Sequence, residues 1–326
     1  MRNILCVTLI ALLGGCTSTS VTEKYQDKRN DIINVKDKVI EFETGNVLIG
    51  SVSRLYMSNK CLLIADHKSV DKQIHIFNKN DFSYLTSIGN FGEGPEEITV
   101  MGCLAIDEAH HQLYVSDHAK QKIFSYDMDS VMVDSLYKPQ VKTAMNETLF
   151  PSEYQYINDT LSIAVLIKPT STSTFNQFLG RWNMNTGEMI PMKYTHPDIQ
   201  KKRITFAASE KAGIYVECYT RHDLMTICSL DGELLYNIYG PDWDGGNGNK
   251  LQSFGTVMIG NDKIFVSYCG EDYARDSFPT KILVFDLEGN YLKTLETGYK
   301  ISDCCYDSFN NLSLIHISEP TRLRRI

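Results

Sequence analysis

QLYVSDHAKQKIFSYDMDS, residues 112–130, reads as a strand, a tight connection, a second strand and a turn. Apolar residues alternate in Leu113-Tyr114-Val115 and again in Ile123-Phe124-Ser125-Tyr126, with polar residues clustered between. That period of two is the mark of a half-buried strand. Versions of the unit recur at Leu62–Asn80, Ile214–Gly232 and Ile264–Gly289, with a looser one at Leu161–Gly187. A spacing of roughly 45–55 residues suits four-stranded propeller blades. Helical repeats would show a 3.6-residue period instead, and a β-sandwich would leave five copies of one hairpin unexplained.

Within each copy the second strand tends to end in an aromatic residue followed by Asp or Asn, and a turn leads to a further strand. Asp231-Gly232 and Glu288-Gly289 supply the positive φ of a tight hairpin. Ile301–Asp307 parallels Cys103–Asp107 and opens a sixth copy, so the expected fold is an all-β, six-bladed propeller. A propeller closes when its last blade packs on its first, and Val39–Phe42 is a candidate closing strand.

The composition is that of an ordered protein: 326 residues, 43% hydrophobic, 22% charged, with 18 Tyr and 14 Phe suited to strands. A net charge of −8, with no basic run before the last residues, argues against nucleic acid as a partner. Residues 1–15 hold Arg2 and an apolar run from Ile4 to Leu13, too short to span a bilayer and read as a secretion signal. Leu13-Gly14-Gly15-Cys16 resembles the lipobox of bacterial lipoproteins, which implies cleavage before Cys16 and a lipid on it. Residues 16–34 are then a polar tether, and the protein lies in the bacterial envelope. The absence of an acidic run after the cysteine favours the periplasmic side over the surface.

Seven of the nine cysteines would remain beside the lipidated one in the mature chain. They sit in apolar strand patterns and in an odd number, which reads as buried free thiols. Ile88-Gly-Asn-Phe-Gly-Glu-Gly-Pro-Glu-Glu97 lacks the Lys-Ser/Thr of a phosphate loop and reads as a structured link between blades. With the lipobox and the six weak blades, this G-x-G-P-x-E stretch resembles the TolB-like six-bladed propeller lipoproteins of Gram-negative bacteria, over about residues 35–311. The resemblance implies a fold and an envelope location, with no catalytic residues to carry over.

The repeat places Asp66-His67, Asp117-His118, Arg221-His222-Asp223 and Glu271-Asp272-Arg275-Asp276 in one class of connection at one end of the blades. A ring of Asp and His there is a candidate binding set, and Asp66, His67, Asp117, His118 and Asp223 could ligate a divalent cation. The plainer reading, favoured here, has each Asp capping its strand end and each His as an exposed turn residue. Asp242–Asn249 has a calcium-loop look but places Ser253 where the twelfth-position Glu belongs, and reads as a plain loop. No G-x-S-x-G, H-E-x-x-H or C-x-x-C occurs, and no cofactor is expected. The expected function is a membrane-anchored scaffold that binds an envelope protein, peptide or glycan; the alternative is a metal-dependent hydrolase or lactonase using the central funnel.

Residues 312–322, LSLIHISEPTR, are what a common transposase-based sequencing adaptor encodes when translated in frame. On that reading residues 312–326 are not native, and the sixth blade, begun at Ile301, is expected to be truncated.

Overall fold

The computed structural model describes residues 22–134, 136–246, 251–275, 277–317 and 323–325. Six antiparallel sheets follow one another along the chain. Blade one comprises Ser53–Met57, Cys61–Asp66, Lys72–Asn78 and Tyr84–Asn90. Blade two comprises Met101–Asp107, Gln112–Asp117, Lys122–Asp127 and Gln140–Ala144. Blade three comprises Phe150–Asn158, Leu161–Pro169, Phe175–Trp182 and Met189–Pro191. Blade four comprises Ile204–Ser209, Ile214–Tyr219, Leu224–Ser229 and Leu234–Tyr239. Blade five comprises Leu251–Gly260, Lys263–Asp272, Lys281–Asp286 and Tyr291–Glu296. Blade six combines Ile301–Asp307, Leu312–Ile317 and Leu323–Arg325 with Ile40–Phe42.

The first strand of every blade is innermost and walls a central cavity. One end of the molecule, the upper face, carries the links between blades and the turns between second and third strands. The lower face carries the remaining hairpins.

The recurrent aromatic-then-Asx ending has a physical cause. The aromatic is the last core residue of the third strand, as with the fully buried Phe77, Tyr126, Trp182 and Phe285. The Asx that follows turns the chain by accepting amide protons: Asn78 from Asn80, Asn183 from Asn185 and Thr186, Asp286 from Glu288 and Asn290. Gly232 and Gly289 then take φ of 85° and 79°, a region that costs other L-residues strain. Blade two departs from the expected turn near Asp129-Ser130. Met128–Val133 forms a short helix capped by the Asp127 carboxylate on the Ser130 amide at 2.7 Å, and the fourth strand begins only at Gln140.

Closure comes as expected from the N-terminal side, with Ile40, Glu41 and Phe42 opposite Arg325, Arg324 and Leu323. In the chain as given the sixth sheet has four strands. Leu312–Ile317 pairs with Ile301–Asp307, because LSLIHI has the alternation a blade strand needs. Leu314 packs with Leu55, Ile64 and Phe77 of blade one, whereas Ile315 and Ile317 pack with Phe265, Ile282 and Val284 of blade five. Two polar bolts add to the seam: Lys79 reaches Asp307 at 3.0 Å, and Asp303 accepts the Leu55 amide at 2.7 Å.

The tether over residues 16–34 is also corrected for its described part. Glu23–Tyr25 lies parallel against Leu234–Tyr239 of blade four, and Ile32–Asn34 lies parallel against Tyr291–Glu296 of blade five. Edge pairing uses backbone groups, so EKY and IIN need no apolar pattern to dock. This strap continues into the closing strand and runs over the outer edges of blades four, five and six.

Candidate functional site

The inner strands enclose a cavity of about 630 Å³. Its upper end holds Arg54 of blade one, Glu153 of blade three, Thr205 of blade four, Thr256 of blade five and Asp303 of blade six. Arg54 Nη2 donates to Glu153 Oε1 at 2.6 Å, an ion pair that spans the first strand of blade two. Blade two leaves room for it, since Gly102 and Cys103 form a bulge in that strand. Asp303 is held by the Thr256 hydroxyl at 2.6 Å as well as by the Leu55 amide. Thr205 donates to the Gly255 carbonyl, and Gln155 accepts the Ala208 amide at 2.6 Å. Side chains facing the channel thus also lace neighbouring blades together. Burial pushes the Asp303 carboxyl above the usual carboxylate range, against the opposing pull of Thr256, the Leu55 amide and Arg54.

The Asp residues predicted from the repeat turn out to be structural. Asp117 is fully buried. Its carboxylate accepts the amides of Thr99, Val100, Ala119 and Lys120 at 2.8–3.2 Å. Asp66 likewise accepts the amides of Gly50 and Lys68. Both carboxylates pin the incoming inter-blade link to the strand end. Asp223 is also fully buried and is taken by Arg29 of the strap at 2.9 Å, with the Asp242 amide and Tyr268 hydroxyl beside it. Arg29 crosses the Phe254, Tyr268 and Phe285 rings on its way.

The histidines are half-buried or buried joints between blades, not the exposed turn residues of the plainer reading. His67 faces the cavity wall and meets the Met101 carbonyl through Nδ1 at 3.2 Å. His118 lies against Phe150 of blade three. Burial, reinforced by Arg54, lowers both imidazoles below 6.5. His222 packs with Tyr219 and Trp243, and Arg221 is half-buried beside it. The structure therefore does not gather Asp66, His67, Asp117, His118 and Asp223 around one point. Cys16 and Asp276 lie outside the described residues.

Among the described residues, the one group of three or more side chains at metal-ligating distance is Asp107, His110 and Asp159, on the lower face. Its geometry follows from a hairpin. Asp107 accepts the His110 amide and ring, and Asp307 of blade six holds the same turn through Phe309 and Asn310. The G-x-G-P-x-E link is likewise structural. Glu97 accepts the Gly94 amide, and a Cβ at Gly92 would fall 2.0 Å from its carboxylate. Lys120 closes the loop from outside on the carbonyls of Gly94 and Glu97, both at 2.6 Å. All seven described cysteines are free and buried.

Arg54, Glu153 and Asp303 went unnoticed in the sequence because they occupy inner strands with no repeated residue. A signal was present nonetheless: three charges in strands that otherwise carry Cys or Thr at the matching position.

Comparison with known proteins bears on the fold. A family model, DUF5128, described as a 6-bladed beta-propeller, matches residues 17–177. No curated protein matches. The chain is similar to a solved member of the duf4221 family from Bacteroides vulgatus, with a TM-score of 0.62 and 10% identity over 91% of this chain and 98% of that one. It is similar to a Bacteroides fragilis protein assigned as exported, with a TM-score of 0.58 and 12% identity over 93% and 98%. A luciferin-regenerating enzyme shares the fold at a TM-score of 0.59 and 8% identity over 88% and 94%. At such identities the likeness is one of fold. This is a six-bladed β-propeller.

Proposed function

We propose that the chain is a lipid-anchored envelope propeller of the TolB-like kind, with a lipid on Cys16 behind a cleaved signal, and that it binds a ligand at the upper mouth of its channel. The observation that carries this reading is the 630 Å³ cavity, walled by all six inner strands, with Arg54, Glu153 and Asp303 at one end. A cavity of that size with a few placed polar groups is the usual form of a ligand site. A protein assigned as exported among the similar structures fits an extracytoplasmic address. The metal-dependent hydrolase reading has less behind it, since its proposed ligands are spent on backbone amides and on Arg29.

The test is titration calorimetry of the full chain against peptide and glycan panels, repeated with Arg54→Ala. Binding should fall at least tenfold in the variant; binding indifferent to Arg54 would remove the channel from the account. Mass spectrometry of the membrane fraction should find a diacylglyceryl group on Cys16. The adaptor reading of residues 312–322 is part of the same proposal. Resequencing the locus from genomic DNA should replace that segment with another alternating strand, and finding it unchanged would end that part.

A further inference from the structure

The cavity is banded along its length. Counted back from the lower hairpins, one equivalent position of the six inner strands holds Met57, Ile106, Ile157, Ala208, Ile259 and Tyr306, and all of them line the cavity. A second ring stands three residues nearer the upper face, four in blade three because of its bulge. It holds Arg54, Cys103, Glu153, Thr205, Thr256 and Asp303, which also line the cavity. Strand rise sets the apolar ring about 10 Å below the polar one. Most of the upper ring is already engaged. The Thr205 hydroxyl donates to the Gly255 carbonyl, the Thr256 hydroxyl donates to Asp303, and the Cys103 thiol is buried. Arg54 and Glu153 keep capacity. Among the described residues their single hydrogen bond is the one from Nη2 to Oε1, and their side chains stay 44% and 35% exposed. The ring thus offers a guanidinium edge and a carboxylate oxygen side by side.

We infer that the ligand is a free α-amino acid with a large apolar side chain, its carboxylate on Arg54, its ammonium on Glu153 and its side chain directed down to the apolar ring. The inference rests on the channel reading above and names the ligand class. A lone carboxylate drawn to Arg54 meets the charge of Glu153, and a lone amine drawn to Glu153 meets that of Arg54. A zwitterion answers both with charge-assisted hydrogen bonds and leaves the site neutral. A sugar bonds the same pair, but its far hydroxyls then lie unpaired among Ile106, Ile157 and Ile259, which is costly. A leucine, methionine or phenylalanine side chain gains from burial there, and a cavity of about 630 Å³ admits each of them.

The experiment is titration calorimetry of the full chain with L-leucine, L-methionine and L-phenylalanine, at least one of which should bind. The best binder is then set against analogues that each lack one feature. Its N-acetyl form lacks the ammonium, its amide lacks the carboxylate, and glycine lacks the side chain. Each analogue should bind at least tenfold more weakly. Arg54→Gln and Glu153→Gln should each weaken binding tenfold or more, while Val133→Asp, exposed on the short helix of blade two, should change nothing. Circular dichroism melts report whether each variant is folded, and the analogue series, run on the unaltered chain, decides the matter where one is not. An N-acetyl or amide form that binds equally well overturns the zwitterion, and glycine binding equally well overturns the apolar end. Amino-acid binding indifferent to both Gln variants overturns this inference and the channel reading together. With no amino-acid binding this inference falls; peptide or glycan binding that still depends on Arg54 then keeps the channel reading, and its absence ends that as well.

Discussion

Asp117 and Asp223 occupy the same connection of blades two and four, are equally buried, and are neutralised in opposite ways. Asp117 is surrounded by amides from residues within twenty positions of it, so its partners arrive with the local fold. Asp223 depends on Arg29, 194 positions away, carried in by a strap that docks only after blades four and five exist. The first arrangement is self-contained. The second makes a buried carboxylate hostage to a peripheral segment, and ties the stability of blade four to the chain's N-terminal side.

That contrast can be broken most sharply at Arg29. Arg29→Ala leaves the Asp223 charge buried without its cation, which costs about 3–5 kcal/mol. Urea unfolding should lose that much, and adding Asp223→Leu should recover most of it. A loss under 1 kcal/mol in the single variant would show that the strap is not holding blade four. Asp117→Ala removes an acceptor from four amides that neighbouring loops can partly rehydrate, so about 1–3 kcal/mol is expected. Its effect should not depend on whether Arg29 is present, because distant sites with no shared partner add.

The smallest effect is that of pH. Burial lowers the imidazoles of His67, His75, His118, His196 and His222 below 6.5. A depressed folded-state value means that the unfolded chain binds protons first. The stability these groups contribute is therefore complete above about 6.5 and is lost as pH falls through their folded values. Melting temperature should drop between pH 6.5 and 5, and His67→Asn with His118→Asn should flatten part of the slope. A melting temperature that rises over that interval would contradict the assignment.

The repeat was legible because each blade restates the same local chemistry: alternating strands, a buried aromatic, an Asx turn. The Asp of each Asp-His pair was correctly given a capping role, since its partners are near in sequence. What the sequence did not yield is what depends on distance. Nothing in EKY or IIN announces an edge strand, and nothing near Arg29 points to residue 223. The helix at Met128–Val133 was readable from Asp127 and Ser130 as a cap, but the hairpin pattern of the other copies obscured it. Arg54 and Glu153 meet across a whole blade, a neighbourhood that only ring closure creates.

The direction of the strap has one more consequence. Glu23–Tyr25 runs parallel to Leu234–Tyr239, which rises from the lower hairpins toward the upper face. The chain therefore boards blade four from below. If Cys16 carries the lipid proposed above, the anchor joins the propeller from its lower side, at the pole opposite the channel mouth.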